Sequence, residues 1–293
     1  MPTYLWMEVS SPTDGLTGFF LEANNNVDFM DGADLAGTGT DLILPFIENN
    51  ATSTTDISLV NPDVSAAKVV LDFIRADGST VATQTVDLTG RGALHAPLST
   101  AFAISYAEVA AVRLRSDRAV TCYGHVHRQT DDSTVTLAAQ SHGLAAKTLY
   151  FPQLAQGDAW STWLGLLNFG RLQVLANITA YKPDGTLFSA PTVTANPVSR
   201  AIAPDGVLRV DLKSLFGFAG SPLQVGWIKV ETNREALHGY VEYGAGSNRA
   251  LVMAQVESYE RSIFRIRPWL GLISRDCRCS TRPMWPPISK WFR

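Results

Sequence analysis

From residue 42 onward, hydrophobic and polar positions alternate in short β-branched and aromatic runs punctuated by Gly, Pro, Asn and Asp. Asp56–Val60, Lys68–Ile74, Thr80–Leu88, Ala111–Leu114, Ala119–His127 and Thr134–Ala139 are such runs, four to nine residues each. A period of two, broken by turn residues roughly every 8–12 positions, predicts the strands of an all-β fold. Two turns carry their own chemistry: Ala-Asp-Gly-Ser at Ala76–Ser79 and Lys-Pro-Asp-Gly-Thr at Lys182–Thr186. Proline presets φ, aspartate bonds its own backbone and glycine accepts a positive φ, so each predicts a hairpin. Helical spacing is confined to Leu98–Ala107 and Leu212–Phe218, and a parallel βαβ architecture is not expected.

The pattern also repeats. At an offset of 107 residues Pro45 falls on Pro152, Thr54-Thr55 on Ser161-Thr162, Leu59-Val60-Asn61 on Leu166-Leu167-Asn168, and Asp77-Gly78 on Asp184-Gly185. The offset grows to 114 where Leu94, Leu98 and Phe102 match Leu208, Leu212 and Phe216. It reaches 116 for Val112 and Leu114 with Ile228 and Val230, then 117 for Ala119-Val120 and Tyr123 with Ala236-Leu237 and Tyr240. Residues 42–147 and 148–257 therefore read as two copies of one unit. Seven or eight strands per copy predict tandem immunoglobulin-like or fibronectin-III-like antiparallel β-sandwiches, without the Cys…Trp…Cys pattern of antibody domains. Trp6, Val9, Leu16, Gly18 and Phe19 match Trp227, Val230, Leu237, Gly239 and Tyr240 at an offset of 221, so residues 1–41 read as the last strands of a partial copy. A few strands alone are marginal in water, so a neighbouring repeat, a second copy of the chain or further polypeptide upstream is expected to complete them.

Charge divides the chain differently. The 293 residues carry a net −3, with 17% charged side chains. Residues 265–293 hold six arginines, Lys290 and one acid, Asp276, so they carry +6 and leave −9 on residues 1–264. An acidic body argues against a nucleic-acid partner. That segment also holds Cys277 and Cys279 of the three cysteines and Trp269, Trp285 and Trp291 of the seven tryptophans. Residues 258–293 thus read as an atypical basic, irregular tail, either a poorly ordered extension or the product of a shifted reading frame. Three cysteines exclude a disulfide-dense scaffold. No run approaches the ~18 apolar residues of a spanning helix, and the Met-Pro-Thr-Tyr start lacks a signal-peptide pattern.

The run Tyr150–Gly157 (Tyr-Phe-Pro-Gln-Leu-Ala-Gln-Gly), followed by Trp160–Asn168 and Asp184-Gly185, resembles uncharacterised β-sandwich repeats of secreted and cell-surface bacterial proteins. Residues 42–147 keep it in part, as Leu44–Ile47, Thr54-Thr55, Leu59–Asn61 and Asp77-Gly78. The resemblance spans most of residues 1–257, and its motifs are structural: a strand-edge proline, an aliphatic run ending in asparagine, and a turn. It implies an extracellular or cell-surface binding module, a non-catalytic structural, adhesion or recognition part of a larger exported protein, and no reaction. The alternative is a hydrolase, metal-assisted or carboxylate-based, acting on an ester or glycoside through the His125/His127 region or an interdomain groove.

The densest polar segment is Cys122–His127 with Asp131, Asp132 and His142. On a strand His125 and His127 share a face, so two imidazoles could hold Zn²⁺ while Asp131, Asp132 or His142 closes the shell. Cys122 has the opposite parity. The matched positions at offset 117 are Glu242 and Gly244, so the fold does not require the histidine pair. Ser65-Ala-Ala-Lys68 has the S-x-x-K spacing of serine acyl-transfer enzymes, but a strand puts positions three apart on opposite faces. His238 and Glu242 share a strand face about 13 Å apart, too far to act as an acid/base pair, and read as a solvated face. Trp160 and Trp163 flank Ser161-Thr162 and have no aromatic counterparts at Ser53 and Asp56. They are candidates to stack on a carbohydrate, to anchor a protein partner or to pack between domains. Trp6 and Trp227 recur in register and read as core. Asn50 and Asn177 head glycosylation sequons, both discounted because Asn177 falls mid-strand and the resemblance is to bacterial proteins.

Overall fold

Alternating parity builds the sheets: Thr55, Ile57 and Leu59 are buried, while Thr54, Asp56 and Ser58 stay half-exposed. The computed structural model describes residues 6–10, 12, 18–23, 30–256, 263–266 and 275–278. In chain order the strands are β1 (Phe19–Ala23), β2 (Met30–Asp34), β3 (Gly39–Leu44), β4 (Ser53–Val60), β5 (Ala67–Ile74), β6 (Thr80–Leu88), β7 (Ala93–Pro97), β8 (Ala111–Arg128), β9 (Ser133–Ala138) and β10 (Gln140–Ser141). They continue as β11 (Thr148–Gln156), β12 (Trp160–Asn168), β13 (Val174–Tyr181), β14 (Val198–Ile202), β15 (Val207–Asp211), β16 (Gln224–Glu231), β17 (Leu237–Ala245), β18 (Asn248–Met253), β19 (Ile263–Ile266) and β20 (Arg275–Arg278). Two short helices, α1 (Leu98–Ala101) and α2 (Leu212–Phe216), follow β7 and β15, where helical spacing was expected. The protein is all-β, built from several antiparallel sheets. No helix among the described residues is long and apolar enough to cross a membrane.

The strands fall into two groups with one order. In the second group the sheets run β11-β16-β13-β14 and β15-β12-β17-β18. In the first, the early half of β8 pairs with β3 and β5, and β5 with β6; its late half pairs with β4 and β9, and β4 with β7. β8 thus serves both sheets. The alternation predicts two runs here, Ala111–Leu114 and Ala119–His127, but Arg115–Arg118 between them contains no Gly or Pro, and one strand continues through without a turn. An immunoglobulin sandwich pairs its first two strands in one sheet. Here β11 and β12 lie in different sheets, so the order is not the immunoglobulin one.

Each group encloses an apolar cluster. One is centred on Ile57, Leu71, Phe73, Leu114 and Val126, the other on Phe151, Leu166, Ile178, Phe216 and Ile228. The same anchoring bonds recur in both. Asn61 is buried, donating Nδ2 to the carbonyls of Ser65 and Thr89. Asn168, also buried, donates to those of Leu172, Ile202 and Ala203. Thr55 Oγ1 donates to the Glu48 carbonyl and accepts its N–H, and Thr162 does the same with Ala155. Gly78 and Gly185 take φ of 89° and 85° in Asp-Gly turns, where a side chain would be strained. The first turn closes the β5–β6 hairpin. The second is followed only by a bridge from Tyr181 to Leu187 before the chain loops out to β14.

At the N-terminus β1 and β2 form a hairpin. At the other end β19 pairs with β20. Residues 258–262, 267–274 and 279–293 lie outside the described residues, as does the reading-frame expectation for the tail.

Candidate functional site

The densest set of buried charges lies where the two strand groups meet. β17 is buried on both faces: Leu237 and Val241 enter their own core, while His238, Tyr240 and Glu242 point at the first group. Glu242, only 1% exposed, receives Arg128 of β8 in a two-pronged contact at 2.6 and 3.0 Å. Arg209 of β15 reaches it at 3.0 Å and Arg249 of β18 at 3.6 Å. Arg128 also bonds Glu48 at 3.0 Å, and Arg249 bonds Asp131 at 3.0 Å. Three guanidinium groups and three carboxylates thus close a neutral network across the junction. The guanidinium of Arg209 lies against the rings of Phe46 at 4.4 Å and Trp163 at 4.6 Å, and Phe46 meets Tyr240 at 5.8 Å.

Electrostatics keep this cluster charged. Burial acts to raise the pKa of Glu242, but the bonds and charges of Arg128 and Arg209 outweigh it and hold the carboxyl below its ordinary range. For Arg128, burial acts against the charged form, yet Glu242 and Glu48 hold it more firmly protonated than a free guanidinium. His238 is also buried here, edge-on to Phe169 at 4.7 Å. Burial pushes its pKa down to about 4, so the ring stays neutral. The expected solvated face of His238 and Glu242 is therefore corrected: the first strand group covers it.

The histidine region takes another form. His125 and His127 do project from one face of β8, and Cys122 points to the other, fully buried, where burial raises its thiol pKa strongly. His125 Nδ1 lies 3.2 Å from Thr136 Oγ1, and His127 Nδ1 lies 2.9 Å from Thr134 Oγ1. The expected closing ligands are elsewhere. His142 sits in a single 3-10 turn, its Nε2 3.3 Å from the Phe169 carbonyl. Asp131 is engaged by Ser133 and Arg249, and Asp132 occupies the turn at φ 53°. Among the described residues no group of three His, Cys, Asp or Glu side chains is arranged to hold a metal ion. The near neighbours of His125 are instead Asp56, directly across in β4, and His95 of β7, at 6.3 Å between ring centroids. His95 Nδ1 stands 2.6 Å from Ser58 Oγ.

The other candidates are separated. Trp163 belongs to the junction through Arg209, whereas Trp160 closes a tight bridge to Gly157. Trp227 is half-exposed and stacked on Tyr181 at 4.1 Å, because in β16 Ile228 and Val230 take the inward parity. Trp6 is likewise half-exposed, donating Nε1 to the Arg91 carbonyl. The core assignment of both tryptophans is corrected accordingly. Ser65 and Lys68 flank a turn and a strand, with Lys68 exposed and Ser65 bonded to Asp63. Glu48, Arg128, Arg209 and Arg249 went unnoticed in the sequence; the one legible sign was β17, whose two parities are both large or apolar around a single acid.

No family model, curated protein or solved structure matches the chain.

Proposed function

We propose that residues 42–147 and 148–257 are tandem β-sandwich repeats of one design and that the chain is a non-catalytic structural, adhesion or recognition module of an exported protein. The shared strand order, and the matched bonds of Asn61 with Asn168 and Thr55 with Thr162, support the tandem reading. In place of the immunoglobulin order, five of the seven connections from β11 to β18 pass from one sheet to the other. The single observation carrying the non-catalytic reading is the use of the buried charges. Glu242, Arg128 and Arg209 are engaged with one another across the two strand groups, with the side chains of Glu242 and Arg128 only 1% and 9% exposed. Such a junction fixes the angle between repeats, as a spacer or a rigid display surface requires. The extracellular or cell-surface setting rests on the resemblance of residues 150–168 to bacterial repeats.

A second reading has one observation in its favour: Ser58 and His95 in contact beside His125 and Asp56 on a half-exposed face. A hydroxyl next to an imidazole is the start of an acyl-transfer site, although a mid-strand serine has its neighbouring N–H groups committed to the ladder. The test is a screen of ester, phosphoester and glycoside substrates with purified protein. The module reading expects no turnover; activity lost in both Ser58→Ala and His95→Ala would replace it with a hydrolase.

A further inference from the structure

We infer that Trp227, Lys229 and the Asp184-Gly185 turn form a docking face for a further sandwich of the same design, one that carries an acid at the position of Asp205. Granted the tandem reading above, two contacts already in the molecule share one pattern. The turn Thr89–Gly92 matches Ala203–Gly206 at the offset of 114. Each holds one residue at positive φ, Arg91 at 60° and Asp205 at 53°. In each the last glycine donates its N–H to the carbonyl three residues earlier at 3.0 Å, and its own carbonyl accepts the N–H of the matched asparagine, Asn61 or Asn168. The two turns are one element built twice.

The Asp205 turn docks on the first strand group. Asp205 meets Arg113 at 3.4 Å, Val207 donates its N–H to the Ala76 carbonyl at 2.9 Å, and Gly78 lies so close to the Pro204 carbonyl that no side chain would fit there. The Arg91 turn is met from the N-terminal segment: Glu8 bonds Arg91 at 2.8 Å, and Trp6 Nε1 donates to the Arg91 carbonyl at 3.2 Å. Glu8 and Arg113 both match Lys229, at offsets of 221 and 116. One position of the repeat thus faces the turn residue with opposite charge in both contacts, Glu8 to Arg91 and Arg113 to Asp205, with the sign reversed between them. A ring contact recurs as well. Tyr123 and Tyr240, matched at 117, each meet a phenylalanine of the preceding segment, Phe20 at 5.1 Å and Phe46 at 5.8 Å.

Lys229 is the third occurrence of the charged position. Like Arg113, which bonds Asp41 at 2.7 Å, it has an acid of its own group, Glu231 at 2.7 Å. Trp227, which matches Trp6, is half-exposed two residues away, and Asp184 and Gly185, which match Asp77 and Gly78, are exposed. A lysine here calls for an acid on the incoming turn. A second copy of this chain does not supply it, because its Arg91 brings like charge and its Asp205 is engaged with Arg113. Exposed ion pairs add little affinity but penalise like charges, so the sign at this position selects which turn can dock. Stacked repeats hold together through one such neighbour contact used again and again.

The test supplies the neighbour. Ala138 pairs with Tyr123 as Met253 pairs with Tyr240, so a chain of residues 1–253 followed by residues 139–257 repeats the existing linker. Lys229→Arg in the added copy leaves a single Lys229 to be read. Its acetylation rate, followed by mass spectrometry, is compared with that in the full chain. The added sandwich is expected to slow it by at least about tenfold, or 1.4 kcal/mol of docking. Asp205→Lys in the added copy is expected to restore the rate. Equal reactivity in the two chains, a Lys229 already unreactive in the full chain, or protection that survives Asp205→Lys would each overturn the inference. Circular dichroism separates the two ways of failing. An added segment without a cooperative melt removes the tandem reading and the docking face with it, whereas a folded one that leaves Lys229 reactive removes the docking face alone.

Discussion

Replacing Glu242 with glutamine keeps the shape of a side chain that is 1% exposed and removes its charge. The carboxylate receives Arg128 through both oxygens, Arg209 at 3.0 Å and Arg249 at 3.6 Å. In Glu242→Gln, Arg128 keeps Glu48 and Arg249 keeps Asp131, whereas Arg209 is left with the faces of Phe46 and Trp163. Breaking a buried pair by removing one partner costs about 3–5 kcal/mol, and the two surviving carboxylates place the expected loss near the lower end, about 3 kcal/mol. That is a large share of the roughly 5–15 kcal/mol that holds a domain together. Arg128→Met is expected to cost less, about 1.5–3 kcal/mol, because Glu242 retains two arginines. The assay is urea unfolding followed by tryptophan fluorescence and circular dichroism, with the midpoint falling and the slope unchanged. The double variant is expected to fall short of the sum of the singles by at least about 0.5 kcal/mol. A Glu242→Gln loss under about 1 kcal/mol, or full additivity, would refute a desolvated charge cluster at the junction.

His238 is neutral when folded, with its pKa lowered from 6.5 to about 4, so its contribution is complete above pH 6.5 and is lost as pH falls toward 4. Unfolding midpoints are expected to decline over that window by up to roughly 3 kcal/mol, and His238→Phe is expected to flatten the decline. Gly165→Ala drives a methyl into the Tyr240 ring, so a loss of about 1–3 kcal/mol is expected in thermal melts; an unchanged melt would show that Tyr240 moves freely. Asn168→Ala leaves the carbonyls of Leu172, Ile202 and Ala203 without their donor and is expected to cost at least about 1–3 kcal/mol, against little for the exposed Asn177→Ala.

Features that depend on local chemistry were legible in the sequence. Asp-Gly turns, the asparagine closing an aliphatic run and the two short helices all act within a few residues of their own position, and each reads from its own residues. The parity of His125, His127 and Cys122 was legible for the same reason. Strand neighbours were not. Which strand lies beside which depends on contacts far apart in the chain, so an immunoglobulin order and the observed one share the same pattern of alternation. The same limit misplaced Trp227: recurrence in register marks a fixed place in the fold, and that place turned out to be the outer parity of β16, against Tyr181.

What the strand pattern carries least is the layer outside the sheet, and corresponding faces of the two strand groups show why. In the tandem reading His125 stands where Glu242 stands, His95 where Arg209 stands and Asp56 where Trp163 stands; the cross-strand partners agree, since Ser58 opposes His95 as Gly165 opposes Arg209. One face is half-exposed and bears imidazoles and hydroxyls. Its counterpart, with the same register and the same alternation, is covered by the first strand group and bears a carboxylate set among arginines. The covered carboxylate takes its counter-charge from Arg209 and Arg249 of its own group and, across the junction, from Arg128, which Glu48 holds in turn. No such obligation falls on the half-exposed face, whose side chains can change without a partner changing with them. Chemistry at these positions is therefore set by what packs outside the sheet and not by the strand itself.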